Sequence, residues 1–147
     1  MIADCRIEEG LAGHIAVLGD RLNGGAIQHL GISFLELSRQ VVRAALTVTP
    51  HHHQPFGILH GGISVVLAET VASVAAWLHA DPQTEIAVGV EINANHLRPV
   101  QSGVIEAIAT PIQTGKTLHV WQIAIIDQQT QKQTCSSRCT LMIAPRK

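Results

Sequence analysis

Ile63-Ser-Val-Val-Leu-Ala-Glu69-Thr-Val-Ala-Ser73-Val-Ala-Ala-Trp-Leu78 decides how the rest of this chain is read. The stretch holds one ionisable side chain, Glu69, and neither proline nor glycine, so it reads as a helix that is apolar on nearly every side. Its sixteen residues make a rod about 24 Å long at about 1.5 Å per residue. Only enclosure by other elements satisfies such a helix. A charged, unpaired carboxylate within it costs several kcal/mol to bury, so Glu69 implies a partner, a raised pKa or a reaction. His60-Gly61-Gly62 leads into the helix. The glycine pair delivers the chain to a helix N-terminus, where free backbone N–H groups can hold a developing negative charge.

Outward from the helix, both flanks read as strands. Ile32–Leu37 and Val41–Thr49 are rich in large and β-branched residues on either side of Ser38-Arg39-Gln40, which predicts an antiparallel hairpin. Pro50 ends its second strand, and residues 51–59 form a loop. Asp81-Pro82 closes the helical region. Strands are expected at Ile86–Leu97, Gly103–Thr110 and Thr117–Asp127, the last turning through Gln128–Gln131 into a fourth at Gln133–Ala144. Ahead of the hairpin, Leu11, Ile15, Val17, Leu18 and Leu22 recur at a loose helical spacing that Asn23-Gly24-Gly25 breaks, so residues 1–29 read as a short helical segment. A hairpin and a four-strand meander around one long helix give an α+β fold, an antiparallel sheet curled around its helix, in a single domain spanning residues 1–147.

Composition bounds the function. Of 147 residues 46% are apolar and 14% charged, with a formal net charge of −1, which argues against nucleic acid as a partner. Tyrosine is absent and aromatic residues make up 3%, too few for a base-stacking platform. The opening Met1-Ile-Ala-Asp-Cys5-Arg-Ile-Glu-Glu-Gly10 has early acids and no apolar run of signal type, and no stretch reaches bilayer length, so a cytoplasmic protein without membrane contact is expected. Cys135 and Cys139 on one strand would stand about 13 Å apart, too far to bridge, and with Cys5 they form an odd set of free thiols suited to a reducing compartment.

Glu69 and Ser73, four residues apart, share a helix face with Gly62 seven residues earlier. Gly62 and Glu69 are separated by two turns, about 10 Å, so both can touch one reacting carbon only if a symmetry-related subunit supplies the other half. The competing reading ties Glu69 to Arg98, Lys116 or a backbone N–H, and bonds the Ser73 hydroxyl to its own helix. His60 either polarises a substrate at the helix entrance or donates a hydrogen bond that fixes the loop. Gln54 is held extended by Pro55, with its amide free to point into a cleft. His51-His52-His53 point to alternate sides of an extended chain, and neither H-E-x-x-H nor C-x-x-C occurs, so no metal is expected. Gly115-Lys116 lacks the rest of a Walker loop. It is either a phosphate contact near His96 and Arg98 or a solvated hairpin turn. The absence of G-x-S-x-G removes support for a Ser-His-Asp hydrolase.

Gln54-Pro-Phe-Gly-Ile-Leu-His60-Gly-Gly-Ile-Ser-Val-Val-Leu-Ala-Glu69-Thr-Val-Ala-Ser73, followed by Gly89-Val-Glu-Ile-Asn-Ala-Asn-His96-Leu-Arg98-Pro, resembles the hotdog-fold acyl-CoA thioesterases. The branch includes 1,4-dihydroxy-2-naphthoyl-CoA hydrolase of menaquinone synthesis, the enterobactin proofreading thioesterase and one class of 4-hydroxybenzoyl-CoA thioesterase. The likeness runs from about Leu30 to Ala144. It implies dimers with continuous sheets that stack into homotetramers, active sites at the dimer interface, and hydrolysis of aromatic or bulky acyl-CoA. It further implies that Glu69 attacks the thioester or activates water, that the Gly61-Gly62 backbone of the opposing helix stabilises the oxyanion, that Gln54 orients thioester or water, that His60 assists the thiolate, and that Ser73 positions water or acyl group. Gly89, then His96, Leu97, Arg98 and Pro99, then Gln113, Thr114, Gly115, Lys116, Thr117 and Leu118 match segments that contact CoA. Coenzyme A enters as part of the substrate, so no separate cofactor is implied, and an acyl-carrier protein is a possible alternative donor. Two other functions on the same fold are a non-catalytic acyl-CoA or aromatic-ligand binding module and an acyl-thioester dehydratase.

Overall fold

The computed structural model describes residues 2, 4–19 and 21–146. Met1 and Lys147, the ends of the expected domain, lie outside the described residues. Strand β1 (Arg6–Ile7) is followed by helices α1 (Ala12–Leu18) and α2 (Gly25–His29), then by the hairpin β2 (Ser33–Leu37) and β3 (Val42–Val48). Helix α3 (Gly61–Trp77) precedes β4 (Glu85–His96), β5 (Gly103–Thr114), β6 (Leu118–Asp127) and β7 (Gln133–Pro145). The strands form one seven-stranded sheet in the order β1-β2-β3-β5-β6-β7-β4, antiparallel except where β1 pairs parallel with β2. This is the hotdog arrangement that the resemblance implies: α3 packs against β3, β4, β5, β6 and β7.

The four-strand meander is corrected. Only β5, β6 and β7 run as a meander. β4 does not touch β5 but lies beyond β7, paired from Glu85↔Pro145 to His96↔Cys135. The reason is the helix: a rod of this length crosses the sheet and delivers the chain to its opposite edge, so β5 returns to pair with β3. β4 therefore has one side without a strand partner among the described residues.

The core is aliphatic. Leu67, Ala68, Val71, Ala72, Ala75 and Ala76 of α3 are fully buried and meet Leu46, Ile105, Ile123, Ile125 and Leu141 of the sheet. Each large aliphatic side chain removed from water in this way contributes about 1.5–3 kcal/mol. The alanines leave the sheet backbone room to approach. Enclosure of α3 is nevertheless incomplete: Gly62 is exposed, and Val66, Glu69, Thr70 and Ser73 are only half-buried. This stripe contains the carboxylate.

At the far end of α3, His119 of β6 is 2% exposed and packs edge-on against His79 with ring centroids 5.4 Å apart. His119 Nε2 lies 2.9 Å from the Gly115 carbonyl, which can only accept, so the proton sits on Nε2 and the buried Nδ1 has no partner. Burial, and then the charge of a protonated His79, hold the imidazolium form of His119 below its ordinary 6.5, against the opposing pull of the Gly115 bond. The unfolded chain thus takes up this proton at higher pH than the folded one. Stability is complete above about 6.5 and falls as the pH drops toward the folded value. We expect the urea midpoint to be lower at pH 5.5 than at pH 8, and His119→Gln to flatten that slope. An unchanged slope in the variant would assign the acid sensitivity elsewhere.

Candidate active site

His60 sets the geometry of the helix entrance. It is the N-cap of α3 in extended conformation, and its Nδ1 accepts a 2.8 Å hydrogen bond from the Gly62 N–H. Of the two roles expected for His60, the loop-fixing bond is present with its direction reversed: the imidazole accepts. The cap lets Gly61 and Gly62 adopt helical geometry, so α3 begins two residues before the apolar run. It also occupies the Gly62 amide, leaving Gly61 N–H as the helix-entrance donor without a partner among the described residues. A side chain at Gly61 would meet His96, since a Cβ there would sit 2.7 Å from His96 Nε2.

Around this entrance lies a cavity of about 350 Å³ lined by Gln54, Gly61, Ser64, His96, Leu97, Arg98 and Pro99, among others. Residues 54–64, residues 96–100 and Thr134, three stretches distant in sequence, therefore meet here. Gln54 is not wholly free: its side-chain oxygen accepts from Phe56 N–H at 2.5 Å within the Pro55 turn, so only its NH₂ can reach the cavity. Arg98 donates to the Gln133 carbonyl at 2.5 Å rather than to Glu69.

Glu69 faces a different space. It shares a cavity of about 420 Å³ with Ser73, Thr70, Val66 and Val74 of α3 and with Leu18, Leu22 and Ile27 from the helical segment. Behind it is Gly89 of β4, where a Cβ would lie 2.8 Å from Glu69 Oε1. Gly89 accordingly stands against the carboxylate. The strand passes close enough only because the position carries no side chain.

The electrostatics single Glu69 out. Every other carboxylate that is not solvent-exposed among the described residues accepts a bond: Glu36 and Glu106 pair with Arg43, Glu8 with Arg39, Glu85 takes Asp81 N–H, and Asp127 takes Gln129 N–H. Glu69 has no hydrogen bond or ion pair among them, so the structural reading through Arg98, Lys116 or an amide finds no support. Sequence reasoning missed Cys139 beside it. Burial, with the carboxylates of Glu69 and Glu91 adding, pushes that thiol up to about 12, so it stays protonated and is no nucleophile at working pH.

The remaining matched segments are not brought together within one chain. His96 pairs with Cys135 and Leu118 with Met142, so residues 96–99 and 113–118 sit about 23 Å apart along β7. Thr114, Gly115 and Lys116 line a separate polar cavity with His79, Glu85 and His119. The histidine run serves the loop: His52 Nδ1 accepts from Thr49 N–H, and His53 Nε2 lies 2.8 Å from the Gln101 carbonyl.

Comparison with known proteins gives the family. Residues 56–134 match the Thioesterase superfamily. The 1,4-dihydroxy-2-naphthoyl-CoA hydrolases of Listeria monocytogenes and Escherichia coli are 45% and 40% identical over 119 and 120 residues, covering 81% and 82% of this chain and 95% and 87% of theirs. Among solved structures, a mutant thioesterase of Pseudomonas aeruginosa superposes with a TM-score of 0.83 at 38% identity, covering 90% of this chain and 94% of that one. A thioesterase of Haemophilus influenzae gives 0.81 at 43%, with 87% and 88% covered. A binding-only module does not fit such company. The chain belongs to the Thioesterase superfamily as a hotdog-fold acyl-CoA thioesterase, an enzyme that hydrolyses CoA thioesters.

Proposed function

We propose that this enzyme hydrolyses an aromatic or otherwise bulky acyl-CoA to the free acid and CoA, with Glu69 as nucleophile or general base. The observation that carries the reading is the half-buried Glu69 carboxylate, unbonded among the described residues while its buried counterparts are paired, in a cavity where Leu18, Leu22, Ile27, Val66 and Val74 offer apolar surface to a ring. Gly61 N–H is eight residues away, about 12 Å along the axis, so the oxyanion donor comes from the partner helix in a dimer. The free side of β4 offers the strand along which two such sheets would join, and pairs would stack into tetramers. We read the chain as a single domain acting in the cytoplasm, where its three free thiols persist.

Within that site Glu69 takes the proton of a water whose oxygen attacks the carbonyl carbon, or attacks that carbon itself to give a mixed anhydride that water then hydrolyses to the free acid. Negative charge develops on the thioester oxygen and is met by Gly61 N–H, CoA leaves as thiolate, and the Gln54 NH₂ and Ser73 hydroxyl orient the reactants. His60 acts through its cap, holding the Gly61 amide in place. Residues 96–99 and 113–118 reach CoA from different subunits.

Free-thiol release should be fastest with benzoyl-CoA or 1,4-dihydroxy-2-naphthoyl-CoA and slower with medium-chain acyl-CoA or acyl-carrier protein. A straight-chain substrate leading the panel would overturn the preference for rings. Turnover of β-hydroxyacyl thioesters without thiol release would point to a dehydratase instead.

A further inference from the structure

The space beside Glu69 is longer than one cavity, and it changes character along its length. A second cavity of about 230 Å³ adjoins the first, the two sharing Leu18, Arg21, Ser73 and Val74. From the carboxylate the way leads past Ser73, about 6 Å along α3, toward Trp77, about 12 Å along it. Its walls there are Val17, Trp77, Ile86 and Ala87, and its charged members are Arg21 and Arg146.

Among the described residues, two guanidinium groups line a space whose one carboxylate belongs to Glu69. Glu69 is unavailable as their counter-ion, because it must remain free for the reaction proposed above. A neutral acyl group filling this space would strip water from both cations and return nothing. A carboxylate would return fork-like, charge-assisted hydrogen bonds. It would also be repelled by Glu69, so it must sit at the end of the acyl group away from the thioester. A ring bridges that separation.

Building on the reading of Glu69 as the reacting carboxylate, we propose that the pocket selects aromatic acyl groups bearing a carboxylate remote from the thioester, with Arg21 and Arg146 as the specificity-determining residues. Arg21 comes from the turn before α2 and Arg146 follows β7, so the two ends of the chain converge on one substrate group.

The test compares kcat/KM for 4-carboxybenzoyl-CoA with that for 4-carbamoylbenzoyl-CoA, which has the same shape without the charge, and for benzoyl-CoA. Wild type should favour the carboxylate over the carboxamide by about tenfold or more, less so at high salt. Arg21→Ala and Arg146→Ala should each lower that ratio, and the double variant should bring it near one. No preference in wild type overturns the proposal. So does an equal fall on all three substrates in Arg21→Ala, which would place the arginine on the CoA moiety they share. Benzoyl-CoA hydrolysis that disappears in Glu69→Gln keeps the carboxylate mechanism standing whichever way the ratio falls. Failure of wild type to hydrolyse any of the three overturns both readings.

Discussion

Glu69→Gln should fold as the wild type does and lose turnover by a factor on the order of 10²–10⁴. The two side chains have the same shape, and the wild-type carboxylate holds no bond among the described residues that the amide would break. What the amide lacks is the negative charge and basicity needed to attack the thioester or deprotonate water. Thiol release measured beside the thermal unfolding curve separates the possibilities. Wild-type turnover in the folded variant would remove Glu69 from the chemistry. A collapse of the melting temperature would make it a structural carboxylate after all.

Gly89→Ala should give the second largest effect, and for a different reason. The added methyl group would stand 2.8 Å from Glu69 Oε1, closer than such atoms approach, so one of them must move. The carboxylate is the end of a flexible side chain, whereas Gly89 is backbone paired with Leu141 of β7, beside a bulge before Glu91. Glu69 therefore yields, swinging off the position from which it reacts. A displacement of about 1 Å at a reacting group costs about 10²-fold in rate. Stability should change by less than about 1 kcal/mol, because alanine in a strand is at least as well accommodated as glycine. A fall in kcat with unfolding unchanged would fit this account. A raised KM at constant kcat would instead return Gly89 to a CoA-contacting role.

The long helix, the hairpin and the later strands were legible because each carries its own periodicity. Their ends lay within a few residues of the observed ones, with β5 the exception, since Pro111 and a bulge before Gln113 extend it to Thr114. Nothing local marked β4 as the neighbour of β7, because strand order follows from where the helix sets the chain down. β1 is two residues long and too short to show alternation. The line of Gly62, Glu69 and Ser73 on one helix face was legible from spacing alone, and the proposal of a second subunit rests on that same spacing. The hydrogen bonds were not. Whether His60 donates or accepts, and where the Gln54 oxygen turns, depends on the dihedral angles of a loop whose residues have no period. Arg21 and Arg146 were invisible for a related reason: they stand at opposite ends of the sequence, and only the folded chain brings them to one cavity.

The separation of Gly61 from Glu69 along one rigid rod has a genetic consequence. On the dimeric reading, each chain contributes a carboxylate to one site and an amide to the other. A chain lacking Glu69, assembled with one whose Gly61 amide is blocked, forms one site with both defects and one with neither. Two inactive alleles would then complement one another in the same cell, and the unit on which selection acts is the pair rather than the polypeptide.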